Sequence, residues 1–210
     1  MKEEQVALNF WGSIKSYPDY PNTLRRRLLD VNFVVNGVSE ARSLLDIGCG
    51  DGSMLLSLRE FTEIDTFYGY DVSPNLIDKL LSKWGWGNAP ELITGVKDVT
   101  TIEKLSLTDV TLSMGFFLYI FEDSKLLDTL EKVKSELLIV RAPCTLKEED
   151  EVINKFSEDL GEHYAAVYRT VPNYTSILSK HFNVTNTVRA YPDSIESKYG
   201  TKHYFFVCSK

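Results

Sequence analysis

Three aspartates and a run of glycines carry the clearest chemistry in this 210-residue sequence. Gly48, Gly50 and Gly52 alternate with Cys49 and Asp51 inside the stretch SLLDIGCGDGSMLLSL, from Ser43 to Leu58, and Asp46 stands just before them. The stretch reads as a buried strand, a tight loop and a helix that starts at Ser53. Such a turn offers bare backbone to a ligand, and side chains at 48, 50 and 52 would block that approach or oppose the turn's φ and ψ. The spacing is G-x-G-x-G, whereas the dinucleotide fingerprint G-x-G-x-x-G would place its third glycine at Ser53. Asp46 at the strand end and Asp51 in the loop would both repel a diphosphate. The pattern therefore favours a cofactor with a cation where a dinucleotide has phosphate, with an ordinary strand-to-helix turn as the alternative.

The third aspartate, Asp71, closes a second strand, FYGYD, and is followed by Val72. An acid in this position can accept hydrogen bonds from both hydroxyls of a ribose, or simply sit near the positive dipole end of the next helix. LDIGCGDG resembles the first motif of the class I S-adenosylmethionine-dependent methyltransferase superfamily, whose cofactor carries a sulfonium and an ammonium near this loop. The resemblance implies S-adenosyl-L-methionine as cofactor, held around Asp46, Gly48, Cys49, Gly50, Gly52, Asp71 and Val72. It further implies that Asp98 accepts from the adenine amino group with the Val99 amide beside the ring, although a turn aspartate would explain Asp98 equally. Ser113, Met114 and Gly115 would then run under the methionine part of the cofactor, and Phe116 and Tyr119 would wall the reaction centre. The implied fold is α/β, a Rossmann-like seven-stranded mostly parallel sheet with helices on both faces and an antiparallel last strand, covering roughly residues 43–210.

The elements that must position these residues follow from spacing. Leu24, Leu28, Val31 and Val35 recur at helical intervals and Asn36-Gly37 supplies a stop. Arg25, Arg26 and Arg27 on that helix read as a solvated face, with one of them free to reach an anionic group. Ser73-Pro74 caps a helix whose stripe is Leu76, Ile77, Leu80, Leu81 and Trp84, broken by WGWGNAP. Further strands are predicted at residues 91–95, 109–115 and 136–141, a helix near 124–134, and a closing pair of strands at 182–190 and 203–209. A helix is predicted at 174–181, which leaves residues 143–172 as a lid-like insertion. Its first half predicts an acidic amphipathic helix with Val152, Ile153, Phe156 and Leu160 inward. Residues 1–42, with Phe10, Trp11, Tyr17 and Tyr20 near their start, form an N-terminal helical cap.

Methyl transfer from a sulfonium needs alignment, water exclusion and at most a proton acceptor. His163 is the candidate base, with an ordinary surface histidine as the alternative. Tyr119 and Tyr168 join it as candidate catalytic residues, and Tyr20, Phe116, Tyr164 and Arg169 as candidate substrate contacts, Arg169 toward a carboxylate or phosphate. The histidines and cysteines show no metal-ligand spacing. Apolar content of 43%, charged content of 25% and a net charge of −7 describe a globular chain that disfavours nucleic acid as main partner. Three scattered cysteines and no membrane-length apolar run fit the cytoplasm. The expected activity is methylation of an oxygen or nitrogen on a small polar molecule such as a sugar, with a homodimer as one assembly the sequence allows. RNA or protein methylation and a non-catalytic cofactor-binding subunit are the alternatives, and a nicotinamide-dependent oxidoreductase is disfavoured by the missing third glycine.

Overall fold

A computed structural model describes residues 2–15, 22–85, 89–158, 160–196 and 200–210. Two helices come first, α1 (Glu3–Ser13) and α2 (Thr23–Gly37), and a regular alternation follows: β1 (Ser43–Ile47), α3 (Ser53–Phe61), β2 (Thr66–Asp71), α4 (Pro74–Trp84), β3 (Glu91–Val96) and β4 (Val110–Met114). A short 3-10 turn at Phe117–Tyr119 leads to α5 (Asp123–Lys132) and β5 (Leu137–Thr145). After β6 (Glu151–Ser157) and β7 (Glu162–Tyr168) come α6 (Val171–Leu178), β8 (Asn183–Arg189) and β9 (Thr201–Ser209).

Seven strands form one sheet in the order β3-β2-β1-β4-β5-β9-β8. β9 alone runs against the rest, pairing antiparallel with both β5 and β8. Strands β1 and β4 are buried on both faces, as a parallel sheet covered by helices on either side demands. One apolar layer joins Leu44, Leu112, Ile139 and Phe205 to α2, α3 and α4, while the other joins Leu45, Leu138, Val140 and Phe206 to α5 and α6. The strand starts are pinned by Asp109, whose carboxylate accepts from the Arg42 and Ser43 amides at 2.8 and 2.9 Å. The predicted Ser73-Pro74 start of α4 is present, with Ser73 Oγ accepting from the Leu76 amide.

Three sequence expectations need correction. Residues 151–168 fold as the antiparallel hairpin β6–β7 rather than an acidic helix, turning at Gly161 with φ of +68°. Val152 and Phe156, expected to point inward, are more than half exposed. A helix-like spacing lost to pairing with the alanine and tyrosine-rich β7, whose Ala165, Ala166 and Val167 are buried. In α2 the buried face is Asp30, Val31 and Val34, so of the helical set Leu24, Leu28, Val31 and Val35 only Val31 is buried, Val35 is half-buried, and the two leucines stay exposed at 68% and 62%. β5 also runs on past Arg141 to Thr145, because β9 continues the pairing after β4 has ended, a one-sided stretch that tolerates Pro143.

Helix α1 straps the sheet's C-terminal edge. The Ile14 carbonyl at its end accepts from Ser73 Oγ and Asn75 Nδ2 at the start of α4, and Glu4 pairs with Lys125 of α5 at 2.6 Å. Since α4 and α5 lie on opposite faces, α1 crosses above the ends of the parallel strands. None of the helices among the described residues is long and apolar enough to cross a membrane.

Candidate functional site

Parallel strands β1, β2 and β4 all end under α1, and the loops that leave them form the site. After Ile47 the amides of Gly48 and Cys49 both donate to the Tyr70 carbonyl, at 2.8 and 3.1 Å, folding the glycine loop back over β2. The Gly50 amide donates to Asp71 Oδ2 at 2.9 Å and the Ser73 amide to Asp71 Oδ1 at 2.9 Å. Gly48, Gly50 and Gly52 all have φ between +55° and +74°. Gly48 and Gly52 are also required by this chain's own packing. A Cβ would stand 2.7 Å from Phe116 Cβ at Gly48 and 2.2 Å from Leu80 Cδ1 at Gly52. Gly69 on β2 was not singled out in the sequence, yet its Cβ would meet Leu55 and the Cys49 thiol at 2.9 and 3.0 Å.

The acids differ sharply in their surroundings. Asp46 is 2% exposed and its Oδ1 has no hydrogen-bond partner among the described residues. Burial, with the Asp71 charge beside it, pushes its carboxyl up to about 7, against the pull of Arg141. Asp71 is likewise raised by burial, its backbone hydrogen bonds opposing. Burial would raise Asp51 too, but bonds from Ser53 and Lys83 hold it below the usual carboxylate range. Lys83 lies 3.0 Å from Asp51, so this acid is neutralised by its own chain and contributes less repulsion than the sequence suggested. Asp46 is the carboxylate suited to a cationic ligand.

Further along the edge, Ser113 is fully buried with no partner for its Oγ among the described residues, and Gly115 turns with φ of +94° above the Arg141 guanidinium, whose Nη2 donates to the Met114 carbonyl at 2.7 Å. Asp98 accepts from the amide and hydroxyl of Thr100 at 2.9 and 2.7 Å, a turn that buries Val99 beyond β3. On the other side stand aromatic rings. Tyr119 and Tyr164 hydroxyls meet at 3.1 Å, Tyr168 bonds to Tyr164, and Trp11 and Phe10 of α1 pack edge-on against Tyr119 and Tyr164. Burial raises the Tyr164 hydroxyl well above its ordinary value.

Two predicted residues are not brought to this place. His163 precedes Tyr164 on β7 and therefore points to the opposite face; it is exposed, sits edge-on to Phe156 and lines a groove of about 560 Å³ with Asn9, Gly12 and Ser13. Arg169 is fully buried. Its guanidinium is spent on Asp123 at 2.8 Å and on the Phe117, Ile120 and Phe121 carbonyls, so it braces the turn that carries Tyr119 and has no face left for a substrate. Tyr20 lies outside the described residues.

No protein-family model matches the chain, and no curated protein matches it. Solved structures do. Magnesium protoporphyrin IX methyltransferase from Synechocystis, with bound S-adenosylmethionine, superposes with a TM-score of 0.66 at 14% identity, covering 100% of this chain and 98% of that one. The chain has the class I methyltransferase fold. Geranyl diphosphate C-methyltransferase from Streptomyces coelicolor, in complex with Mg2+, geranyl diphosphate and S-adenosyl-L-homocysteine, gives 0.69 at 9% identity over 100% of this chain and 98% of that one. The N-methyltransferase NodS from Bradyrhizobium japonicum gives 0.64 at 11%, over 91% and 98%. Within this methyltransferase fold, sequence reasoning missed Asp30, Arg141 and Tyr191. The signal for Arg141 was present: a lone charge ending the apolar strand ELLIVR. Asp30 and Tyr191 are 161 positions apart and gave none.

Proposed function

We propose that this chain is an S-adenosylmethionine-dependent methyltransferase acting on an oxygen or nitrogen of a small polar molecule. The observation that carries the reading is Asp46, a buried carboxylate with an oxygen that has no partner among the described residues, beside a second acid, Asp71, at the mouth of a glycine loop. Two neighbouring carboxylates, one of them fully buried, call for a cationic ligand. The residues fit the cofactor: Asp46 for its ammonium, Asp71 for the ribose hydroxyls, the Gly48–Gly50 backbone beneath it, and Asp98 with Val99 for the adenine. When bound, the cofactor supplies an activated methyl on sulfur.

The protein's own contribution is positioning. α1 and the tyrosine wall exclude water, and Tyr119, with Tyr164 and Tyr168 behind it, orients the acceptor by hydrogen bonding. With their pKa values raised, the Tyr164 and Tyr168 phenols stay protonated at neutral pH and donate rather than abstract protons. His163 and Arg169 have no part in this reading. Incubation with methyl-labelled cofactor and a fractionated metabolite extract tests it: label should pass to a small-molecule fraction, and Asp46→Asn should abolish the transfer. Cofactor binding with no labelled product from any pool would instead favour the non-catalytic subunit, and labelled RNA or protein the macromolecular alternative.

A further inference from the structure

Behind Gly115, on the β5 side of the edge, lies a second charged cluster that the cofactor reading does not use. Arg141 ends the paired stretch of β5 opposite Met114. Its Nη2 is taken by the Met114 carbonyl, while its buried Nε stands 3.4 Å from Asp30 Oδ2 without forming a hydrogen bond. Both Asp30 oxygens accept from the Tyr191 hydroxyl, at 2.8 and 2.9 Å, and Arg141 leans on that same hydroxyl. The Arg26 guanidinium lies 5.5 Å from the Tyr191 ring centre and donates through Nε to the Ile195 carbonyl at 2.8 Å. Arg27 acts on the same carboxylate through its charge. The nearby Glu196 bonds His203 at 2.7 Å and is directed there.

The Arg141 and Arg26 guanidinium groups thus gather beside the buried Asp30 carboxylate, with the buried Glu196 carboxylate held by His203, in a protein whose net charge is −7. Among the described residues the Arg26 guanidinium makes one hydrogen bond, through Nε to Ile195, and the buried Arg141 Nε has only the 3.4 Å ion pair with Asp30 and no hydrogen bond. Partly buried cations are costly unless paired, and the planar fork of a guanidinium matches carboxylate and phosphate oxygens in pairs. The cluster adjoins the site directly: a Cβ on Gly115 would stand 3.1 Å from Arg141 Nη2, and the Arg141 charge reaches Asp46. Asp46 and the arginine cluster thus bring opposite charges to the same strand edge.

We infer that the methyl acceptor carries an anionic group, carboxylate or phosphate, received by Arg26 and Arg141; this rests on the methyltransferase reading above. The anion is the acceptor's handle and not the atom that receives the methyl, so the arginines fix specificity and take no part in bond making.

Calorimetric titration of the full chain with inorganic phosphate and with acetate, at ionic strength held constant with chloride, tests this. One site is expected for at least one of the two anions, with the same affinity whether or not S-adenosylhomocysteine is bound. Arg26→Gln should weaken it at least tenfold and Arg25→Gln, an exposed neighbour on the same helix, less than twofold. Asp30→Asn combined with Arg141→Met, which removes both charges of the pair together, should weaken it similarly if Arg26→Gln melts too early to be assayed. Absence of binding to the parent protein, or equal loss with Arg25→Gln, overturns the inference. Competition between the anion and S-adenosylhomocysteine also overturns it, by assigning the arginines to the cofactor's own carboxylate. Binding of S-adenosylhomocysteine is measured first on each protein, so a failure of the cofactor reading is seen separately from a failure of the anion site.

Discussion

Replacing Asp46 by asparagine should make the ligand-free protein more stable and the cofactor site useless. In the folded chain this acid titrates at about 7, against 3.8 for an unperturbed aspartate. One pKa unit corresponds to about 1.4 kcal/mol, so keeping Asp46 ionised in its buried place costs about 4 kcal/mol at full ionisation. The folded state holds the proton up to pH 7 while the unfolded chain releases it near 3.8, so the folded form binds more protons across that window. Stability therefore falls as pH rises through it, and the penalty is complete above pH 7. The neutral amide of the variant would carry no such penalty. At pH 5 the variant should exceed the parent by roughly 1.5 kcal/mol and at pH 8 by about 4 kcal/mol. At about 2–4 °C per kcal/mol for a chain of this size, the melting temperature at pH 8 should rise by roughly 8–16 °C. The same change removes the charge that would face the cofactor's ammonium, and affinity for S-adenosylhomocysteine should fall roughly a hundredfold, as loss of a charged hydrogen bond does. Thermal unfolding from pH 5 to 8, with calorimetry at pH 7.5, checks both halves. A variant no more stable than the parent at pH 8, with an unchanged pH slope, would refute the argument that Asp46 is a strained acid held for a ligand.

Other substitutions separate the site from its supports. Asp71→Asn should weaken S-adenosylhomocysteine binding by about 2 kcal/mol, close to thirtyfold, through poorer bonding to the ribose, read by calorimetry. Gly52→Ala meets both a left-handed φ of +70° and Leu80 at 2.2 Å, and should cost roughly 3 kcal/mol in denaturant unfolding. Arg169→Met strips Asp123 and three carbonyls of their donor and should cost about 3 kcal/mol; a loss of acceptor binding without loss of stability would contradict its bracing role. His163→Ala should leave methyl transfer within about twofold of the parent, because its side chain faces away from the tyrosine wall.

Local signals brought Asp46, the glycines and Asp71 to one edge because these residues are nearly contiguous. Asp46, the glycines and Asp71 sit at the ends of two neighbouring parallel strands, so strand and turn patterns alone placed them together. The β9 reversal was legible for the same reason, since a short turn-rich connection between two apolar strands predicts an antiparallel pair. The hairpin at 151–168 was misread because Val152, Ile153, Phe156 and Leu160 satisfy a helical period by coincidence, while only its fold-back onto Ala165 and Ala166 decides the matter. Arg169 was misread because an arginine beside tyrosines looks like a ligand hook; its burial against the carbonyls at 117–121 depends on where α5 begins. The Asp30–Tyr191–Arg141 contact joins three distant segments, and no spacing rule reaches across them.

The central claim is that the edge formed by β1, β2 and β4 holds a sulfonium cofactor and not a dinucleotide. Calorimetric titration of the full chain with S-adenosylhomocysteine and, separately, with NAD tests it most directly. A single site for S-adenosylhomocysteine that weakens in both Asp46→Asn and Asp71→Asn is expected, and no heat with NAD. Tight binding of NAD with no response to S-adenosylhomocysteine would contradict it.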